Sequence, residues 1–191
     1  MLRLLVFLTT VQLASAPVRW PAGAAVLVWV DAASAPAGVD ALVDRAVAVW
    51  TDAVGRHITL QRTKSREAAA IRIHFARSRG EYGETRPRVD PATGAISFAD
   101  VVIATDVAGD DPFTQRIVLY LTALHELGHA IGMRHTDTFA DIMYSFRRPD
   151  DGERYFMAYR KRLTTPDAIG SAQATGLSAN DLAAARALYG R

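Results

Sequence analysis

His125 and His129 stand four residues apart in the run His125-Glu126-Leu127-Gly128-His129-Ala130-Ile131-Gly132-Met133-Arg134-His135. On a helix, side chains four apart lie one above the other, so the two imidazoles face one way at a separation that a single metal ion can bridge. Glu126 falls on the neighbouring face, near the metal without having to ligate it, where it can take a proton from a water. A helix continued through Gly132 would carry His135 away from that side. Glycine adopts positive φ readily, so the helix can break there and the chain turn back to deliver His135 as a third nitrogen ligand. Three neutral imidazoles leave a fourth position open, the arrangement of a catalytic rather than a structural zinc site. The chemistry expected is hydrolysis: zinc brings the pKa of water to about 7, and Glu126 takes the proton and passes it to the leaving amine. The competing reading is a set of surface histidines. A His-Glu-x-x-His pair arises by chance on a helix more readily than the longer form with Gly132 and His135.

These residues need a helix, a turn and a sheet to hold them. Asp111-Pro112 has the N-cap and N1-proline signature of a helix start, and Ile117, Leu121 and Leu124 carry that helix down to the motif. Val26–Val30 reads as a first strand, and Val39 to Val54 recur at helical spacing up to a stop at Gly55. Ile58–Arg62 and Ile71–Phe75 alternate apolar and polar with period two, as half-buried strands do. Tyr82–Val89 and Ala95–Thr105 flank the turn Asp90-Pro91-Ala92-Thr93-Gly94 and form a hairpin; Pro87 removes a ladder donor and puts the first of these strands at a sheet edge. An exposed edge is where an extended peptide can add itself as a further strand. Ser178 to Tyr189 is a second capped helix, with Asp181 three residues after Ser178. Between the helices, residues 145–176 read as a long irregular stretch carrying Arg147, Arg148, Arg154, Arg160, Lys161 and Arg162. The sum is one α+β domain: a mixed, twisted sheet with an antiparallel edge strand, an active-site helix and a C-terminal helix.

The bulk numbers agree with one domain: 191 residues, half of them hydrophobic, suffice for one sizeable core. With 22 basic and 20 acidic side chains the net charge is +2, too balanced for a nucleic-acid footprint. Residues 1–16 run from Arg3 through an apolar stretch to Ala14-Ser15-Ala16, the order of a secretory signal peptide; an apolar strand of the fold is the competing reading. Pro17 directly after the cut leaves the cleavage point open. The stretch is too short to span a bilayer. Export, extracellular or periplasmic, is therefore expected, and so is a monomer with no stable membrane span. With no cysteine there is no disulfide framework and no cysteine-based zinc site.

The full histidine motif makes the chain resemble the metzincins, and among them it is most similar to the matrixins, the family of the matrix metalloproteinases and many bacterial relatives. The Met-turn of that family is matched by Asp141-Ile142-Met143-Tyr144. The resemblance implies that Met143 forms an apolar floor beneath the zinc; an ordinary core methionine is nearly the same statement. Matrixin-like stretches run over residues 24–190, including Ala48-Val49-Trp50, Ile71–Phe75, Gly83-Glu84-Thr85 and Leu177 to Gly190. The implied fold is zincin-like, and the implied activity is endopeptidase cleavage of proteins or peptides. The edge strand that pairs with substrate would contain Tyr82, Gly83, Glu84, Thr85 and Arg86.

Departures from the family pattern matter as well. There is neither a cysteine nor room before Val26 for a propeptide latch. Only His57 and His74 remain outside the motif, too few for a second, structural zinc, so one zinc is expected. By resemblance calcium would sit among Asp90, Asp100, Asp106 and Asp110, while solvation explains surface acids equally well. Ser145 stands where some metzincins place a tyrosine ligand. The long 145–176 stretch either selects acidic substrates through its basic side chains or is a solvated loop. Two other functions compete: a zinc-binding pseudoenzyme or peptide-binding module, which has no need of Glu126, and a hydrolase of a non-peptide amide, which has no need of the edge strand. Proline or charge reversal within Tyr82–Arg88 is expected to raise KM several-fold in a peptide assay, by analogy with losing ladder hydrogen bonds at a sheet edge; unchanged kinetics would count against strand addition.

Overall fold

The computed structural model describes residues 16–107 and 109–190; the expected leader otherwise lies outside the described residues. Five strands form one sheet in the order β2-β1-β3-β5-β4. They are β1 (Ala24–Val30), β2 (Ile58–Arg62), β3 (Ile71–Ala76), β4 (Gly83–Val89) and β5 (Ile96–Ala104). β1 runs parallel to β2 and β3, and β3 parallel to β5, whereas β4 is antiparallel to β5 and closes the sheet at its edge. Pro87 sits within β4 opposite Ala99, and the missing donor is tolerated because β4 has no further strand beyond it among the described residues.

Period-two burial turns Val26, Val28, Val30, Ile71, Ile73, Val101 and Ile103 to one face of the sheet. Two helices cover that face, α1 (Val39–Val54) and α2 (Pro112–Ala130). They are locked together by Trp50, fully buried on α1, whose indole N–H donates 2.7 Å to the Leu124 carbonyl of α2. Asp111 caps α2 by accepting from the Phe113 and Thr114 amides ahead of Pro112. α1 starts at Val39 behind Gly38, which has a left-handed φ of 76° and gives no side-chain cap. The sheet with helices on it is the α+β architecture that the hydrophobic periods imply.

Residues 145–176 differ from the expected irregular stretch. Asp151–Arg160 is a helix, here α3, followed by a single 3-10 turn at Pro166–Ala168 and then the C-terminal helix α4 (Ala179–Tyr189). Tyr155, Phe156 and Tyr159 form the buried side of α3 and pack toward α2. Gly152 in its first turn and three aromatic residues, all weak helix formers, hide this helix from propensity. Packing decides it. The segment just before β1 is also more engaged than its composition suggests: Trp20 is buried, and its indole N–H donates 2.8 Å to the Ala130 carbonyl at the end of α2.

Candidate metal centre

α2 ends in a Schellman turn. The Met133 amide donates to the Gly128 carbonyl at 2.9 Å and the Gly132 amide to the His129 carbonyl at 2.9 Å, with Gly132 at φ 92°. Glycine is needed there twice over, because a Cβ would also collide with the Val18 carbonyl of the N-terminal segment. The turn brings His135 back over α2. His135 Nε2 lies 3.2 Å from His125 Nε2 and 3.0 Å from His129 Nε2. Nitrogens held about 2.0–2.1 Å from one zinc ion in tetrahedral geometry are roughly 3.3 Å apart, so the spacing fits that ion.

The other ring nitrogens explain why these lone pairs converge. His125 Nδ1 donates 2.6 Å to the Ile142 carbonyl, and His129 Nδ1 donates 2.9 Å to the Met133 carbonyl. Both rings therefore carry their proton on Nδ1 and present a bare Nε2 to the same point, an arrangement that hydrogen bonds among the three rings cannot satisfy and a cation can. Among the described residues these histidines are the only convergent group of three or more potential ligands. Burial, then its histidine neighbours, draws the His125 pKa down to about 3; burial also lowers His129 and His135. All three are neutral, as ligands must be, at pH 7.

Glu126 is 5% exposed and lines the same cleft. Burial pushes its pKa up to about 7, helped by Glu84 and Glu81 and opposed by a hydrogen bond from Thr85. A carboxyl poised there exchanges protons near neutrality. Beneath the histidines Met143 is fully buried, and a Cβ at Gly128 would come within 2.5 Å of its sulfur, so Gly128 is the space that the thioether fills.

The Met-turn is fixed from α4. Asp181 accepts from the Ile142 amide at 2.8 Å, from the Met143 amide at 3.4 Å and, in the capping box of α4, from the Ser178 amide at 2.8 Å. Asp141 bridges Thr136 and Ser178 with its two oxygens at 2.9 and 2.7 Å. A chain of contacts thus runs from the α4 cap through Ile142 to the His125 ring. The sequence announces the Ser178 and Asp181 cap, but its reach into the Met-turn joins residues 39 apart and carries no local signal.

The cleft, of about 480 Å³, is bounded by residues 81–85, which lead into and begin β4, on one side and by Leu121, Thr122, Ile142, Tyr144 and Ser145 on the other. Tyr82, Gly83, Glu84 and Thr85 line it; Arg86 does not, and pairs outward with Glu84 at 2.7 Å. Phe146, Tyr155 and Phe156 complete the wall. None of the six basic residues of 145–176 lines it. Arg147 pairs with Asp137, Arg154 with Asp151 at 3.5 Å and Arg160 with Asp111. Of the two readings of this stretch, selection of acidic substrates would need basic side chains in the cleft wall, where α3 instead contributes an aromatic surface. The acids considered for calcium form no convergent group of three among the described residues: Asp90 holds the hairpin turn through the Ala92 and Thr93 amides, Asp106 accepts from the Ser78 amide, and Asp100 faces His74 at 3.8 Å.

A helix carrying two convergent histidines, a Schellman turn carrying the third and a methionine turn beneath them on a mixed sheet define a zincin of the metzincin type. The matrixin peptidase family model matches residues 29–190, and the chain belongs to that family, which is one of zinc metallopeptidases. No curated protein matches the chain.

The lowered histidine pKa values predict a pH dependence of zinc affinity with a definite sign. Three unperturbed imidazoles of pKa about 6.5 would lose roughly 50-fold in affinity between pH 7.5 and 6 through proton competition. Rings whose pKa values are lowered lose less, and a drop clearly smaller than that is expected in a competition titration with a chromophoric chelator.

Proposed function

We propose that this protein is a zinc-dependent endopeptidase that cleaves peptide bonds in extended protein or peptide substrates. The observation carrying this reading is the convergence of the His125, His129 and His135 Nε2 atoms beside a buried Glu126, whose pKa is raised to about 7, in a cleft whose other wall is an open sheet edge. His125, His129 and His135 would hold the ion. When bound, zinc supplies Lewis acidity and brings the pKa of water to about 7.

The chain's own groups do the rest. The free edge of β4 offers backbone donors and acceptors to a substrate strand, which fixes the scissile bond along the cleft. Glu126 takes a proton from the attacking water onto its carboxylate and gives it to the departing amine nitrogen, so that it ends the cycle ionised. Its place off bulk water suits both halves of that transfer. Phe146, Tyr155 and Phe156 favour a large apolar side chain beside the cut. Met143 supports the site and touches no substrate.

Export, with the protein acting as a monomer outside the cytoplasm, rests on the order of residues 1–16. No helix among the described residues is long and apolar enough to cross a membrane. N-terminal sequencing of protein from the culture medium is expected to begin close to Pro17; a start at Met1 contradicts export by cleavage.

Casein and a mixed peptide library serve as substrates for the activity. Zinc-loaded protein is expected to cleave them, to stop on chelation and to recover when zinc is restored. Glu126→Ala should keep its zinc and lose about 10²–10⁴-fold in kcat. Cleavage that survives both chelation and the substitution contradicts the mechanism, and no cleavage by zinc-loaded protein favours a binding module.

A further inference from the structure

β4 does more at this site than present an edge. Its residues alternate between two faces, and Gly83 and Thr85, two apart, both turn toward α2 at Glu126. Thr85 Oγ1 lies 2.6 Å from Glu126 Oε2 and 3.0 Å from the Glu126 backbone carbonyl. Gly83 supplies space: a Cβ there would come within 2.7 Å of both Oε1 and Cγ of Glu126. Gly83 lies in ordinary strand backbone without a positive φ, so its demand is room for the carboxylate and not a backbone conformation. Glu126 is thus held from one side by a hydroxyl on one oxygen and seated on the other side against bare backbone.

The geometry points to Thr85 as a positioning residue for Glu126: its hydroxyl donates to Oε2, fixes the side-chain rotamer and leaves Oε1 against Gly83 at the cleft wall. Glutamate has three rotatable bonds, and an unheld carboxylate in a cleft samples several orientations, only some of which reach the attacking water. The one hydroxyl hydrogen also has two acceptors in reach. Oε2 at 2.6 Å is the nearer, and the backbone carbonyl at 3.0 Å keeps the hydroxyl on the same side of α2. A valine of the same shape makes neither bond. Because Thr85 faces α2 while its backbone pairs with Val101 of β5, this role is separate from substrate pairing along the outer edge of β4.

The role rests on reading Glu126 as the general base, and the test separates the two. Zinc-loaded wild type, Thr85→Val and Thr85→Ser are compared on one peptide, with zinc affinity and Tm measured alongside. Thr85→Val is expected to lower kcat about 10- to 100-fold with KM within about twofold, and Thr85→Ser to keep kcat within about threefold. Crystal structures of the zinc-loaded forms should show one Glu126 orientation in wild type and Thr85→Ser and several in Thr85→Val. Wild-type kcat in Thr85→Val, a change confined to KM, loss of zinc, or a single unchanged Glu126 orientation each overturn the role. If the wild type cleaves nothing, the endopeptidase reading fails, and the Glu126 orientations still decide whether Thr85 holds the carboxylate.

Discussion

Three imidazole Nε2 atoms converge on one place, two of them with bare lone pairs that repel one another, and much of this structure serves to hold them there. Two of the tautomers are set by carbonyls: Ile142 for His125, Met133 for His129. Both carbonyls belong to turns, one just past Gly132 and the other in the Met-turn. The break at Gly132 therefore positions two of the three histidines, since it delivers His135 and places the Met133 carbonyl beneath His129. One ring N–H cannot serve both bare acceptors fully, whereas a cation would turn the three rings into a coordination shell with an open face.

The supports radiate outward from that constraint. Trp20, before the first strand, ties its indole to Ala130, and the Tyr189 hydroxyl donates 2.7 Å to the Ile131 carbonyl, so both ends of the described chain meet at the end of α2. Asp181 and Asp141 are each 1% exposed and place their oxygens on amides and hydroxyls of the Met-turn and the α4 cap. Buried carboxylates satisfied in this way are costly to disturb, because removing one strands several donors at once. Gly128 and Met143 complete the floor by shape alone. The stiffness of the site is a property of the whole helical layer.

Much of the site was legible because its chemistry is local. His125, Glu126, His129, Gly132 and His135 lie within eleven residues, so helical spacing and one glycine fix their relation. The hairpin and its edge strand were legible too, since Pro87 and the Asp90–Gly94 turn constrain pairing without tertiary help. What escaped depends on packing between distant segments. α3 is a helix because Tyr155, Phe156 and Tyr159 find α2 to pack against, which no window around them reports. The same holds for Trp20 against Ala130 and for Thr85 against Glu126, 41 residues away, contacts in which the partner alone reveals the role. The basic side chains of 145–176 are conspicuous in sequence, yet several pair with Asp111, Asp137 and Asp151, while Tyr155, Phe156 and Tyr159 among them turn inward.

The central claim is that three histidines of this chain, and no other side chain, bind one catalytic zinc with a position left open. X-ray absorption at the zinc edge of the stoichiometrically loaded protein tests it most directly. The account predicts three imidazole nitrogens at about 2.0–2.1 Å with a light oxygen scatterer completing the shell, and no sulfur. A zinc–sulfur distance near 2.3 Å, which would make Met143 a ligand, or a shell closed by a fourth side chain would contradict it.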